Sequence, residues 1–459
     1  MPTFTKRSEL PVPRADLYAW HARPGAFERL GPPWERAVVE SRTGEGIDDG
    51  VRLTIRAEIG PVSARWEAEH HGHIPGEQFI DTQRSGPFAR WEHTHRFLDG
   101  PSPGTSILDD SVEYELPLGG LGAAVAGHYV GDRLSRMFNF RHARTAADLA
   151  RHAPYGGRAL TVAVTGASGL IGGALCPFLT TGGHRVKRLV RRAPKGPDEL
   201  RWDPEAGVID LAGLEGVDAI IHLAGENVGE GRWTEARKAR ILQSRDAGTR
   251  LLAQAVAKVG VPRLISASAV GYYGDTGAQI VDESSPLGKG FLAEVCARWE
   301  AAAEPAIAAG ARVAQARVGV VLSAQGGALG KLLPVYKAGG GGPVGSGEQG
   351  FPWVHLDDVV DIFHHLLMSD DLSGPVNAVA PATQSQGEVT DEICGLLNRP
   401  SFVPLPAAAV RLGFGQMGVE VLLQGQRVRP SVLQGRGFTW RFPTLDAAMR
   451  HELGLAYGA

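Results

Sequence analysis

Cysteine is scarce: Cys176, Cys296 and Cys394 are the only three in 459 residues, and no two form a C-x-x-C pair. That excludes a disulfide framework and a Cys-rich zinc module, and it suits a reducing compartment. An excess of charge of one sign is missing too. Forty-seven Lys and Arg stand against fifty Asp and Glu, a formal net charge of −3. Bulk electrostatics therefore points to no polyanion partner, and no basic stripe interleaved with aromatics marks nucleic acid. No apolar run nears the roughly 20 residues that cross a bilayer. The opening MPTFTKRSELPVPRADLY lacks the apolar core of a secretory signal. A cytoplasmic protein without a membrane partner is the expectation. Glycine and proline, by contrast, are plentiful at 61 and 30 residues. They lie between periodic apolar segments and read as turns, not as disorder. A chain that is 43% hydrophobic and 21% charged is globular, and this length predicts two or three domains.

The first segment reads as β-rich with two helical regions. TFTKRSEL alternates like a strand. PRADLYAWHARPGAFERL is a short amphipathic helix region broken at Pro24 and Gly25. Five alternating runs follow, VRLTIRAEIG, VSARWEAEHHG, EQFIDTQRSG, ARWEHTHRFLDG and TSILDDSVEYELP, each ending in turn residues, which predicts an antiparallel meander. Beyond PLGGLGAAVAG the pattern becomes helical. Strand, helix, curved sheet and long helix in that order resemble the helix-grip fold of START-like and polyketide-cyclase-like proteins, and Trp66, Phe88, Trp91 and Phe138 fit it. That resemblance implies a hydrophobic ligand in this domain. His70, His71, His73, His93 and His95 invite a metal reading, but no carboxylate or cysteine spacing completes a recognised set, so no metal site is expected. After the linker APYGGR, continuous apolar strands alternate with helices, the mark of a parallel sheet covered on both faces.

TVAVTGASGLIGGAL begins at Thr161. Its T-G-x-x-G-x-x-G spacing sets Gly166 at a sharp turn off an apolar strand, Gly169 where backbone nears a pyrophosphate, and Gly172 where helix packs on sheet. The helix N-terminus then offers unpaired N–H groups to phosphate. The second strand, HRVKRLVRRAP, ends in Arg191 and Arg192 where an NAD-selective site carries Asp or Glu. Guanidinium groups there pair with a 2′-phosphate, so NADP is the expected cofactor. Trp202 and Asp203 are weaker candidates for the adenine side.

Four motifs, TGASGLIG, HLAG, SASAVGYYG and WVHLDDVV, resemble the extended short-chain dehydrogenase/reductase family in this order, over about residues 160–380. GENVGEGRWTEARKARILQSR, FLAEVCARWE and LLQGQRVRP are similar to its epimerase-like branch, whose members carry a C-terminal helical region and sometimes a cyclase-like N-terminal domain. The resemblance implies a Rossmann-type doubly wound α/β domain at 158–385, a helix-grip α+β domain at 1–152 and a small helical region at 386–459. It implies that Gly166, Ser168, Gly169, Leu170, Ile171 and Gly172 hold the pyrophosphate. Arg191 and Arg192 would hold the adenosine phosphate, and Leu223, Ala224 and Gly225 would line adenine and ribose. Arg245 and Arg317 would make further cofactor-side contacts; many relatives pair through helices, so a homodimer is one alternative and the oligomeric state stays open.

The family's catalysis uses Ser, Tyr and Lys. Ser268 fits the serine. Phe291 and Val295 stand where Tyr-x-x-x-Lys belongs, so the usual proton relay is absent. Tyr272 and Tyr273 are the substitute candidates, with Lys289, Asp275, Asp282 and Glu283 nearby in sequence; the competing account makes the tyrosines packing residues. AGGGGPVGSGEQG, residues 338–350, reads as a lid or as a long exposed loop. Asp357 is expected to cap a helix. An NADP-dependent oxidoreductase or epimerase acting on a small molecule is one reading; a non-catalytic NADP sensor or hydrophobic-ligand module is the other.

Overall fold

The computed structural model describes residues 2–35, 37–44, 46–59, 62–117 and 119–458. They fall into two compact units. One comprises Met1–Ala159, Pro177–His184 and His451–Ala459; the other comprises Leu160–Cys176 and Arg185–Arg450.

In the first unit, β1 (Thr3–Leu10), α1 (Arg14–Ala22) and α2 (Ala26–Arg29) precede the strands β2 (Ala37–Thr43), β3 (Arg52–Ile59), β4 (Val62–Ile74), β5 (Gln78–Ser85), β6 (Arg90–Asp99) and β7 (Ser106–Glu115). The helix α3 (Gly119–His152) closes the unit. The strands form one antiparallel sheet in the order β1-β7-β6-β5-β4-β3-β2. Strict alternation in β6 and β7 turns Trp91, His93, His95 and Phe97, and Leu108, Asp110, Val112 and Tyr114, to the buried face. Phe138, His142 and Leu149 of α3 are buried as well. Trp66, Phe88, Trp91 and Phe138 join one aromatic cluster, as the helix-grip pattern predicts. A buried bidentate pair fixes α2 to α3, with Arg29 Nε and Nη2 donating to Asp148 at 2.7 and 2.8 Å. Two details differ from expectation. Strand β2 is exposed along its length, so no inside–outside alternation announced it. Helix α3 begins at Gly119 and takes in the glycine-rich stretch read as preceding it.

In the second unit, β8 (Thr161–Thr165), α4 (Leu170–Thr181), β9 (Arg185–Val190), β10 (Glu199–Asp203), β11 (Val208–Ile209), β12 (Ala219–His222), α5 (Glu235–Val259) and β13 (Arg263–Ala269) come first. Then come β14 (Ile280–Val281), α6 (Phe291–Ala301), α7 (Glu304–Ala308), β15 (Arg312–Val318), β16 (Val320–Ser323), α8 (Gly327–Lys337), β17 (Trp353–His355), α9 (Leu356–Met368) and β18 (Gly374–Ala378). The main sheet runs β11-β10-β9-β8-β12-β13-β15-β18, parallel except for β11. Chain order reverses between β8 and β12, and in open α/β sheets the crevice outside the carboxyl ends at that point is where ligands bind. Strands β8, β12 and β13 are almost wholly buried, matching their unbroken apolar runs. The tail forms α10 (Gln386–Leu396), α11 (Ala407–Phe414) and a π-helical turn at Val419–Leu423. Strand β19 (Arg427–Val428), which was not foreseen, pairs with β14, so the tail as far as Arg450 belongs to the second unit's fabric.

Candidate functional site

The glycine loop leaves β8 at Gly166 with φ +67°, and a Cβ there would sit 2.9 Å from the backbone of Leu223 and Ala224. Only glycine fits that turn. At Gly172 a Cβ would lie 2.3 Å from the Gly166 carbonyl oxygen, so the start of α4 closes directly on the loop. Gly169 is looser, its nearest neighbour being 3.3 Å away. Ser168 and Gly169 are exposed and Leu170 and Ile171 half-buried, so the first N–H groups of α4 border an open face. Thr165 ties the crevice together: its Oγ1 accepts from the amides of Leu223 and Ala224 at 3.1 and 3.2 Å and lies 2.7 Å from His222 Nδ1. Burial lowers the His222 pKa to about 3, which keeps the ring neutral.

Arg191 and Arg192 follow β9, and both are exposed. Their states differ. Arg192 is held by Glu199, its Nη1 donating at 2.6 Å to a carboxylate that the Lys195 amide also reaches. The Arg191 side chain makes no hydrogen bond or ion pair among the described residues. Trp202 is 4% exposed inside the core under α5, and Asp203 is paired with Arg201; the adenine-side suggestion for Trp202 is thereby corrected. Arg245 lies beside Gly225, donates to the Glu226 carbonyl at 2.9 Å and stacks over Trp299.

Ser268, Arg317 and Asn377 stand in register on β13, β15 and β18. Ser268 Oγ donates to Glu300 Oε1 at 2.7 Å. Arg317 grips the same carboxylate through Nε and Nη2, both at 2.8 Å. Arg317 Nη1 also donates to the Tyr273 hydroxyl, which donates in turn to Asn377 at 2.7 Å. Burial pushes the Tyr273 phenol up to about 12. Ser268 and Tyr273 thus sit in a closed polar network. Tyr272 is half-buried with Arg317 3.5 Å over its ring, and its hydroxyl has no partner among the described residues. Phe291 and Val295 pack with Trp233, Ile241 and Met417, and Val295 is 2% exposed. The place of the missing Tyr and Lys is therefore an apolar cluster. Lys289 and Asp275 are exposed, while Glu283 accepts from the amides of Asn377 and Val432.

A cavity of about 260 Å³ opens beyond β13 and β15. Its lining is mostly apolar, including Val270, Leu292, Leu329, Phe351 and Val389, with Arg245 among its few polar groups. Cys296 also lines it, but burial raises its thiol to about 12, so it is no nucleophile at neutral pH. Sequence reasoning missed Glu420. On the π-helical turn, its carboxylate accepts from the amides of Phe291 and Leu292 at 3.2 and 2.9 Å, capping α6 from the chain's tail. No local spacing signals a cap more than a hundred residues away.

Two other expectations change. Residues 338–350 are a loop anchored to the chain's tail. Their backbone bonds to Val403 and Leu405, Gly341 and Gly342 leave no room for a Cβ, and Val344, Gln349 and Gly350 form part of the cavity wall. The cap of α9 is His355, whose Nδ1 accepts from the Asp357 amide; Asp357 is not the cap. Asp358 accepts from the backbone of Arg441 and Phe442 and holds the tail in place.

In the first unit, the register sets Asp81 opposite His93 and His95 opposite Asp110. Asp81 Oδ2 lies 3.0 Å from His93 Nδ1 and 3.4 Å from His95 Nε2. Asp110 meets His93 Nε2 at 3.0 Å, His95 Nδ1 at 2.7 Å and His142 Nε2 at 2.7 Å. The carboxylates that sequence spacing could not supply come from neighbouring strands. His71 and His73 bond elsewhere, to Thr82 and Tyr18.

The doubly wound sheet, the glycine loop at its switch point and the serine on β13 define the extended short-chain dehydrogenase/reductase class. The family model described as NAD dependent epimerase/dehydratase matches residues 162–378. Polyketide cyclase / dehydrase and lipid transport matches 10–140, and a domain of unknown function, DUF1731, matches 405–452. The chain belongs to the epimerase family. It is 45% identical over 288 residues to an epimerase family protein of Mycobacterium bovis, covering 63% of this chain and 96% of that one. The crystal structure of human epimerase family protein SDR39U1 with NADPH is similar at 36% identity and TM-score 0.59, covering 64% of this chain and 99% of that one. A nucleoside-diphosphate sugar epimerase from Corynebacterium glutamicum matches at 35% identity and TM-score 0.80, covering 98% of this chain and 90% of that one.

Proposed function

We propose that the second unit binds NADP(H) with its pyrophosphate on the 166–172 loop and works as an oxidoreductase or epimerase on a small, largely apolar molecule in the 260 Å³ cavity. One observation carries this reading: an open glycine loop at the switch point follows β8, the neighbour of β9, and Arg191 just after β9 has no side-chain partner among the described residues, with no carboxylate ending β9. These residues fit the dinucleotide. Gly166 and Gly172 keep the loop's backbone close and bare, and Arg191 is free to meet a 2′-phosphate. The NADPH in the human relative supports the same choice of cofactor. When bound, the cofactor supplies or accepts hydride. We assign to Tyr272, which follows Gly271 of the cavity lining, the role of handing a proton to a substrate oxygen, because Ser268 and Tyr273 have their hydroxyls committed. Arg317, stacked on Tyr272, holds its ring in place.

A second reading has NADP(H) bound without turnover. It is favoured by the apolar packing of Phe291 and Val295. Titration of the full chain with NADPH and NADH tests the shared part: NADPH binds more tightly, and failure of both nucleotides at high micromolar concentration removes both readings. NADPH oxidation with a panel of carbonyl compounds and cell extract then separates them. Turnover abolished by Tyr272→Phe supports the enzyme, and binding without any turnover supports the sensor. The first unit, with its half-buried Trp66 and Phe88, is proposed to take an apolar ligand.

A further inference from the structure

Between the sheet and α3 of the first unit, we propose a binding site for one divalent transition-metal ion of the zinc class. Asp81, His93 and His95 are the ligands, and Asp110 is the residue that orients both imidazoles.

Three observations converge. First, one oxygen, Asp81 Oδ2, faces a nitrogen of each histidine at 3.0 and 3.4 Å, and the three donor atoms lie within 4.8 Å of one another. A tetrahedral ion with bonds of about 2.0–2.1 Å needs donors about 3.3–3.4 Å apart, and both oxygen–nitrogen separations lie near that spacing. Second, the outer nitrogens, His93 Nε2 and His95 Nδ1, both lie against Asp110 Oδ1, at 3.0 and 2.7 Å, and His142 Nε2 steadies the other oxygen of that carboxylate at 2.7 Å. A carboxylate behind a ligating imidazole fixes its tautomer and raises its basicity. Third, the ion-free network is incompletely satisfied. His95 Nδ1, the nitrogen that a ligating His95 would turn toward Asp110, is close to that carboxylate but out of line for a hydrogen bond, although His95 is only 8% exposed. Buried polar atoms are rarely left in that state.

The half-buried carboxylate of Asp81 and the buried one of Asp110 supply the negative charge that a dication needs. Two imidazole nitrogens and one carboxylate oxygen are a donor set for zinc, iron or cobalt; magnesium and calcium prefer all-oxygen shells. The fourth position is left for water or for an oxygen of a bound ligand.

The test uses the full chain, stripped with chelator and titrated with Co²⁺. The expected result is one ion per chain with visible absorption bands, displaced by Zn²⁺. Asp81→Asn and His95→Gln abolish the bands. Asp110→Asn weakens binding about 10- to 100-fold, and His128→Gln, at an exposed histidine, changes nothing. Circular dichroism of the metal-free variants checks folding. Should they not fold, X-ray absorption of the wild-type zinc form decides, with two nitrogens and one protein oxygen expected in the shell. No stoichiometric binding, bands that survive both ligand variants, or a shell of oxygen alone or with sulfur would overturn the site and leave a network of buried ion pairs.

Discussion

Arg191 and Arg192 are sequence neighbours with the same side chain, yet among the described residues Glu199 occupies Arg192 and nothing pairs with the Arg191 guanidinium. Arg191→Ala should therefore weaken NADPH binding about 10- to 100-fold, the worth of one or two charge-assisted hydrogen bonds, and leave NADH binding unchanged in the same fluorescence titration. Arg192→Ala should do less. The adjacent tyrosines split in the same way. Tyr273→Phe leaves Asn377 Oδ1 without its donor and should cost about 1–3 kcal/mol in urea unfolding. Tyr272→Phe should leave stability unchanged and remove turnover, if turnover is present. Installing the family's relay at Phe291 and Val295 is not a neutral repair. Phe291→Tyr places a hydroxyl at a half-buried helix start and should be tolerated. Val295→Lys drives an ammonium into the Trp233–Met417 cluster and should lower stability by several kcal/mol, read by chemical denaturation. His222 adds a pH dependence. Its folded pKa, about 3, lies below the usual 6.5. The unfolded chain therefore binds the proton first, and stability falls as pH drops from 6.5 toward 3, by up to roughly 1.4 kcal/mol per pH unit. His222→Gln should flatten the fall of the unfolding midpoint between pH 7 and 4 by its share, while His21 and His184, which burial lowers to about 4, keep theirs.

Helix α6 shows what one element gains from distant sequence. Gly290, before its first residue, has φ +113° and no side chain to offer, so the cap comes from Glu420 on the tail's π-helical turn. Glu420→Ala should cost about 1–2 kcal/mol, as lost helix caps do, and should loosen the cavity wall that Glu420 shares. The glycine loop is legible from sequence alone because its geometry is local: one turn, one close approach, one helix start. A tight glycine predicts a sharp mutational effect. Gly172→Ala must displace the Gly166 carbonyl, so it should destroy nucleotide binding, whereas Gly169→Ala should spare the fold. Strands β6 and β7 were equally legible from their alternation. Strand β2 was not, because exposure of every residue erases the signal that alternation provides.

Over the whole molecule, what sequence left hidden was pairing across distance. Asp81 and Asp110 read as ordinary strand residues until register sets them beside His93 and His95. Glu300 carried no signal until two strands and a helix aimed Ser268 and Arg317 at it. The family motifs set the order of strands and the loop; they could not say that Ser268 and Tyr273 would be locked, or that Asp358 would fasten the tail. No helix among the described residues is long and apolar enough to cross a membrane. The account rests on the second unit's grip on a phosphorylated dinucleotide. Calorimetric titration of the full chain with NADPH, beside NADH and beside Arg191→Ala, tests that most directly. One site per chain is predicted, with NADPH bound about 10-fold or more tightly than NADH and that preference lost in the variant. Equal affinity for the two nucleotides, or no heat from either, would contradict it.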